Sequence, residues 1–221
     1  MADTNPTTSN RMVLLLIGGI PLTIILVATW LWYFVARGDL DLVGILGTAN
    51  RGTLVQPPRQ MDDQALLDAA GVEVAFADLK PRWAMVVPGM GGRCDAACES
   101  SLYVTRQIHL AMGKDFTRLR RLFVSDVGAE ETALVVSELS DGRPAPAAVK
   151  FADYLATEHN GLQALTLSTD GYNALFPEHA ADSSNWYLVD PAGWIMMSYN
   201  KEVSYKDVIA DLKFLLKNSG G

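Results

Sequence analysis

The chain holds two cysteines, Cys94 and Cys98, and the chemistry to expect of it starts from their spacing. In the first turns of a helix, residues i and i+4 face the same way, with α-carbons about 6 Å apart. That separation admits a disulfide. It equally suits two thiolates on one soft metal ion, Cu(I) above all, or a dithiol cycling between reduced and oxidised forms. The surrounding Gly89-Met90-Gly91-Gly92-Arg93-Cys94-Asp95-Ala96-Ala97-Cys98 is a glycine loop running from a strand into a helix. Arg93 and the positive end of the helix dipole favour a thiolate there. A purely structural bridge is the least favoured use, because a loop closed four residues apart constrains the unfolded chain little.

Other groups that could join the pair are few. His109 shares a helical stripe with Cys98 but lies about 16 Å along the axis, too far to share a metal ion. His159, next to Asn160-Gly161, suits a helix C-terminus. His179 is the one histidine expected in a loop, and imidazole is a good copper ligand. Met90 is a soft donor close to Cys94, although methionine more commonly fills gaps in packing. No nucleotide loop, Ser/His/Asp set or carboxylate pair stands out. A net charge of −7 argues against a nucleic-acid surface. The single dense basic run, Arg118-Leu119-Arg120-Arg121, reads as a solvated strand edge.

The elements that must position these residues follow from apolar period and turn signals. Residues 83–88 are a buried strand ended by Pro88 and Gly89. A helix over 95–112 stops at Gly113, and 121–125 is a second strand. Residues 132–139 fit strand or helix equally, ahead of the turn Asp141-Gly142-Arg143-Pro144. A helix over 147–158 and a strand over 162–167 come next. Trp186-Tyr187-Leu188-Val189 and Trp194-Ile195-Met196-Met197-Ser198-Tyr199 form a hairpin about Asp190-Pro191-Ala192-Gly193. The last helix is capped by Ser204 and Asp207, with Val208, Ile209, Leu212, Leu215 and Leu216 on one face. The order implies an α/β fold, a mixed sheet flanked by helices.

Ahead of this domain, residues 12–36 carry no charge and are long enough to cross a hydrocarbon core. Trp30, Trp32, Tyr33 and Phe34 crowd one end, where aromatic rings favour the headgroup layer. The apolar region is too long for a signal peptide. The organisation expected is a disordered tail over 1–11, a single transmembrane anchor over 12–36, a tether over 37–60 and a globular domain over 61–219. By the positive-inside rule, Arg37, Arg51 and Arg59 outweigh Arg11 and lean toward a cytoplasmic domain, whereas the short, nearly uncharged tail leans the other way.

A cysteine pair leaving the first strand, a late hairpin with a Tyr-Leu-Val-Asp-Pro-x-Gly turn and a C-terminal helix together resemble the thioredoxin fold. The three-residue gap between Cys94 and Cys98 resembles, more narrowly, the Sco/SenC family of membrane-anchored cytochrome c oxidase assembly proteins. The resemblance implies a thioredoxin-like domain in the bacterial inner membrane, facing the periplasm. It implies Cu(I) bound by Cys94, Cys98 and one histidine, for delivery to oxidase subunit II or in concert with its assembly factors. The family's histidine position falls here on Asp182, so His179, three residues upstream, is the candidate third ligand. Three functions are therefore open: a copper metallochaperone, a thiol-disulfide reductase of the copper-site cysteines, and a redox-silent accessory membrane protein.

Overall fold

The computed structural model describes residues 6–36, 50–146 and 149–218. The chain divides into two compact units, Met1–Ala49 and Asn50–Gly221. In the first, α1 (Pro6–Ala36) contains a 20-residue span, Leu15–Phe34, whose mean hydropathy of 2.1 makes it long and apolar enough to cross a membrane. The two threonine hydroxyls within that span turn back onto helix carbonyls, Thr23 to Ile20 at 2.9 Å and Thr29 to Ile25 at 2.8 Å. That satisfies both hydroxyls within the helix. The helix starts at Pro6, inside the stretch expected to be a disordered tail.

In the second unit, six strands form one sheet in the order β1-β8-β7-β2-β4-β6. They are β1 (Thr53–Gln60), β2 (Trp83–Gly89), β4 (Leu119–Ser125), β6 (Leu162–Thr166), β7 (Trp186–Val189) and β8 (Trp194–Tyr199). β2, β4 and β6 run parallel, whereas β7, β8 and β1 join antiparallel. A short parallel pair, β3 (Arg93–Cys94) with β5 (Ala133–Leu134), stands apart. The helices are α2 (Ala96–Ala111), α3 (Phe151–Glu158), α4 (Thr169–Leu175), α5 (Pro177–Ala181) and α6 (Tyr205–Asn218).

Strand alternation divides the core in two. Trp83, Met85 and Val87 of β2 point to one face with Phe123, Leu188 and Met197, where Leu102 and Ile108 of α2, Phe151 of α3 and Leu212 of α6 cover them. Ala84 and Val86 point to the other with Leu122, Val124, Tyr187 and Ile195, against Tyr172 and Leu175 of α4. The mixed sheet with helices on both faces is the one expected, and the hairpin turns at Gly193 with φ of 90°.

Several boundaries differ. The globular unit begins at Asn50 rather than 61, because Thr53–Gln60, expected to be tether, is the edge strand β1 paired to β8. The rest of the expected tether, 37–49, lies outside the described residues. The basic run is no solvated edge: β4 lies between β2 and β6, and Arg121 is buried. The 147–158 helix starts at Phe151, with 147–148 outside the described residues. Of the ambiguous 132–139 stretch only Ala133–Leu134 is strand, and α4 and α5 fall where no element was expected.

Candidate functional site around the cysteine loop

The loop that carries the cysteines leaves β2 at Gly89, where a Cβ would come within 2.4 Å of the Phe123 ring, so only glycine permits this close approach. Gly91 and Gly92 follow with φ of 67° and 64°, left-handed values that turn the chain back sharply. Asp126 fixes the turn by accepting a hydrogen bond from the Gly91 amide at 2.7 Å. The chain then enters β3, where the Cys94 carbonyl accepts from the Val135 amide at 2.8 Å and the Gly92 carbonyl from Ala133 at 2.9 Å.

Cys94 therefore precedes the helix instead of lying in its first turn. The reason is Asp95, whose extended backbone and carboxylate make it the N-cap of α2, accepting from Ala97 at 3.0 Å and Cys98 at 3.1 Å. The two cysteines are joined by a disulfide, with α-carbons 5.1 Å apart. Asp95 also alters the electrostatics expected at the helix end. Its carboxylate already occupies the donors and the positive dipole that would stabilise a thiolate, so it competes with Arg93 for the sign of the local field.

Cys94 is fully buried, and Cys98 is 6% exposed. Cys98 alone of the pair lines a cavity of about 330 Å³, whose other walls include Gly89, Met90, Arg93, Asp95, His179 and Ser183. A neighbouring cavity of about 570 Å³ shares Ser183 and reaches Ala96 and Ala97. Three of the residues singled out in the sequence, Cys98, His179 and Met90, thus meet at one cavity while Cys94 lies behind the bridge. Among the described residues no three His, Cys, Asp or Glu side chains cluster as a metal site. With the bridge closed, Cys94, Cys98 and His179 are not assembled as a ligand set.

His179 sits on α5, a short helix rather than a loop. Its Nδ1 lies 2.8 Å from the Tyr172 hydroxyl. Burial lowers its pKa, opposed by the nearby Asp95 and Asp182 carboxylates, so the ring is neutral at pH 7. α5 is held from outside the site. Glu178 takes a two-pronged pair from Arg59 of β1 at 2.9 and 2.7 Å and a bond from the Tyr187 hydroxyl at 2.9 Å. Burial works against that carboxylate, yet the Arg59 and Tyr187 bonds outweigh it and hold the pKa below the ordinary value.

The other histidines are structural. His109 stacks on Phe116 with ring centroids 3.9 Å apart and bonds the Phe116 carbonyl. His159 is buried between Arg121, 3.3 Å from its Nδ1, and the Tyr154 hydroxyl, 3.1 Å from its Nε2. Arginine can only donate, so Nδ1 accepts and Nε2–H donates to Tyr154, whose hydroxyl donates to Glu99 at 3.3 Å. Asp95, Tyr172 and Glu178 are the site residues that sequence reasoning missed. Asp95 was legible as a cap residue between the cysteines, whereas the other two act through contacts distant in sequence.

Residues 83–219 match the family model of the transmembrane-like, thioredoxin-like C-terminal domain. The chain belongs to that family. In fold, this transmembrane-like thioredoxin-like protein is similar to yeast Sco1, both with copper bound and without. Each comparison has 18% identity and a TM-score of 0.51, covering 79% of this chain and 97% or 99% of the other. Copper-bound ScoI of Arabidopsis thaliana also matches, at 15% identity and a TM-score of 0.49 over 70% of this chain and 96% of that one. The thioredoxin-like, Sco-like fold expected from the cysteine spacing and the hairpin is the fold found. A sequence search of curated proteins finds no match.

Proposed function

We propose that the protein is a membrane-anchored thiol-disulfide exchange protein of Sco type, with Cys98 as the sulfur that meets the partner and Cys94 as the resolving cysteine. The observation that carries this reading is the Cys94–Cys98 bridge with only Cys98 facing a cavity. In the reduced form the Cys98 thiolate attacks a partner disulfide, joining one partner sulfur and releasing the other as a thiolate. The Cys94 thiolate then attacks Cys98 Sγ, which closes the bridge and frees the second partner sulfur. Two electrons pass to the partner, and the exchange requires the two sulfurs but no histidine. The partner proposed, from the Sco-like fold, is the copper-site cysteine pair of cytochrome c oxidase subunit II, with α1 anchoring the domain at the bacterial inner membrane on its periplasmic side.

A second reading, Cu(I) delivery, is favoured by the presence of Cys98, His179 and Met90 on one cavity. Copper here would be cargo. The donor types fit Cu(I), but a bridged pair offers no thiolate, so loading requires reduction first. The test uses purified full-length protein in detergent. Oxidised wild type is incubated with reduced glutathione and scored for thiols, and the reduced form is titrated with Cu(I) against a competing chelator. Exchange that survives His179→Ala, with Cu(I) bound no better than by Cys94→Ser/Cys98→Ser, supports the exchange reading. A pair inert to glutathione that binds Cu(I) tightly when reduced, and loses it in His179→Ala, overturns that reading for copper delivery.

A further inference from the structure

The amino-terminal ends of the parallel strands β2, β4 and β6 meet at the end of the sheet opposite the cysteine loop. The seven residues of β2 separate the two ends, roughly 20 Å at the usual strand rise. At that far end a cavity of about 230 Å³ is lined by Lys80, Arg82, Arg120 and Arg121, with Gly161 and Gln163. Four cations converge there, no carboxylate lines the space, and among the described residues none of the four forms a salt bridge. The chain carries a net charge of −7, so acidic residues are plentiful and are absent from this one place.

Two of the cations are held in place by contacts within the fold. Arg121 is only 3% exposed, and its two Nη atoms are spent on the His159 ring and on the His159 and Asn160 carbonyls. Arg120 lies with its guanidinium 6.0 Å from the Phe76 ring centre. The Nε of each is buried without a described partner. Buried guanidinium N–H groups are ordinarily paired, and leaving two unpaired among clustered positive charge costs stability. The field is uncompensated: burial and then Arg82 lower the pKa of Arg120, and burial and then Arg106 lower that of Arg121 to about 10. A doubly charged oxyanion would offset the clustered positive charge, since guanidinium forks match phosphate oxygens in charge and geometry.

We infer that this cavity binds a phosphate group, with Lys80, Arg82 and Arg120 as its ligands and Arg121 as the buried charge behind them. The phosphate comes either from inorganic phosphate and small phosphorylated solutes or from an anionic phospholipid headgroup. The site is independent of the cysteine chemistry.

The experiment uses the full-length protein in nanodiscs of phosphatidylcholine. Inorganic phosphate is titrated at constant ionic strength against chloride, while backbone amide signals of residues 82, 120, 121, 161 and 163 are followed by NMR. In parallel, the same signals are recorded in discs containing phosphatidylglycerol with no added phosphate. The expected result is saturable shifts confined to this group, in one arm or the other, which also assigns the source. Arg82→Gln should weaken binding about tenfold, the usual loss for one charge-assisted contact. Lys80→Gln, at an exposed position, should weaken it in the same direction. No saturable shift in either arm, or unchanged affinity in both variants, would overturn the assignment.

Discussion

Reactivity of the two sulfurs, taken one at a time, follows from how each is held. In Cys98→Ser, the remaining Cys94 is fully buried in β3. A reagent can reach it only if the β3–β5 pairing opens, breaking the Val135-to-Cys94 and Ala133-to-Gly92 hydrogen bonds of 2.8 and 2.9 Å. At a net value of about 1 kcal/mol each, opening costs about 2 kcal/mol. At about 1.4 kcal/mol per tenfold, that is a rate about 30-fold slower. In Cys94→Ser, Cys98 already lines the cavity and needs no such opening. Alkylation by iodoacetamide, quenched at intervals and read by intact mass, gives both rates. Repeating it across pH and comparing the plateau rates removes any difference in thiolate fraction. Cys94 reacting as fast as Cys98, or faster, would refute the assignment of Cys98 as the entering sulfur.

Three further outcomes follow from the same geometry. Burial, with Arg121 and Arg106, lowers the His159 pKa from 6.5 to about 3; between those values the unfolded chain binds a proton that the fold does not. Stability is whole above about pH 6.5 and falls on acidification by at most about 1.4 kcal/mol per pH unit, so the urea midpoint at pH 5 should lie below that at pH 7, and His159→Asn should flatten the difference. Glu178→Gln breaks the paired Arg59 contact; with the Glu178 side chain 40% exposed, a cost of about 1 kcal/mol is expected after screening, along with a shift of the His179 ring signals that a distant surface change would not produce. The carboxylate's depressed pKa adds stability that is lost only as pH falls through it, so the penalty of Glu178→Gln should shrink in acid. Gly89→Ala places a methyl group 2.4 Å from the Phe123 ring and should cost about 1–3 kcal/mol in chemical denaturation; a neutral result would show that the loop has room to shift.

The parts of the fold carried by local pattern were legible. The run Trp83–Gly89, the helix behind Asp95, the hairpin about Gly193 and the final apolar stripe each announce themselves within a dozen residues. β1 did not, because Pro57 and Pro58 read as a break. On an edge strand, with a register shift between Leu54 and Arg59, proline costs little hydrogen bonding. α4 and α5 span seven and five residues, too short to show a period, and Pro177 begins the second. The site was half legible: two sulfurs at fixed spacing are local, but the seat of His179 depends on Arg59 reaching Glu178, 119 positions away in the chain. The basic run was misread because its strand is interior: β4 lies between β2 and β6 and Arg121 is buried, a placement that only the neighbouring strands decide.

The central claim is that the Cys94–Cys98 bridge is a working redox couple rather than a staple. Its most direct test is an equilibrium redox titration of the full-length protein across glutathione buffers, trapping free thiols by alkylation and reading their number by mass. A reversible transition between the bridged form and two free thiols, lost in either single Cys→Ser protein, is the predicted result. A pair that stays bridged in every buffer, or that reduces only after the domain is unfolded, would contradict it.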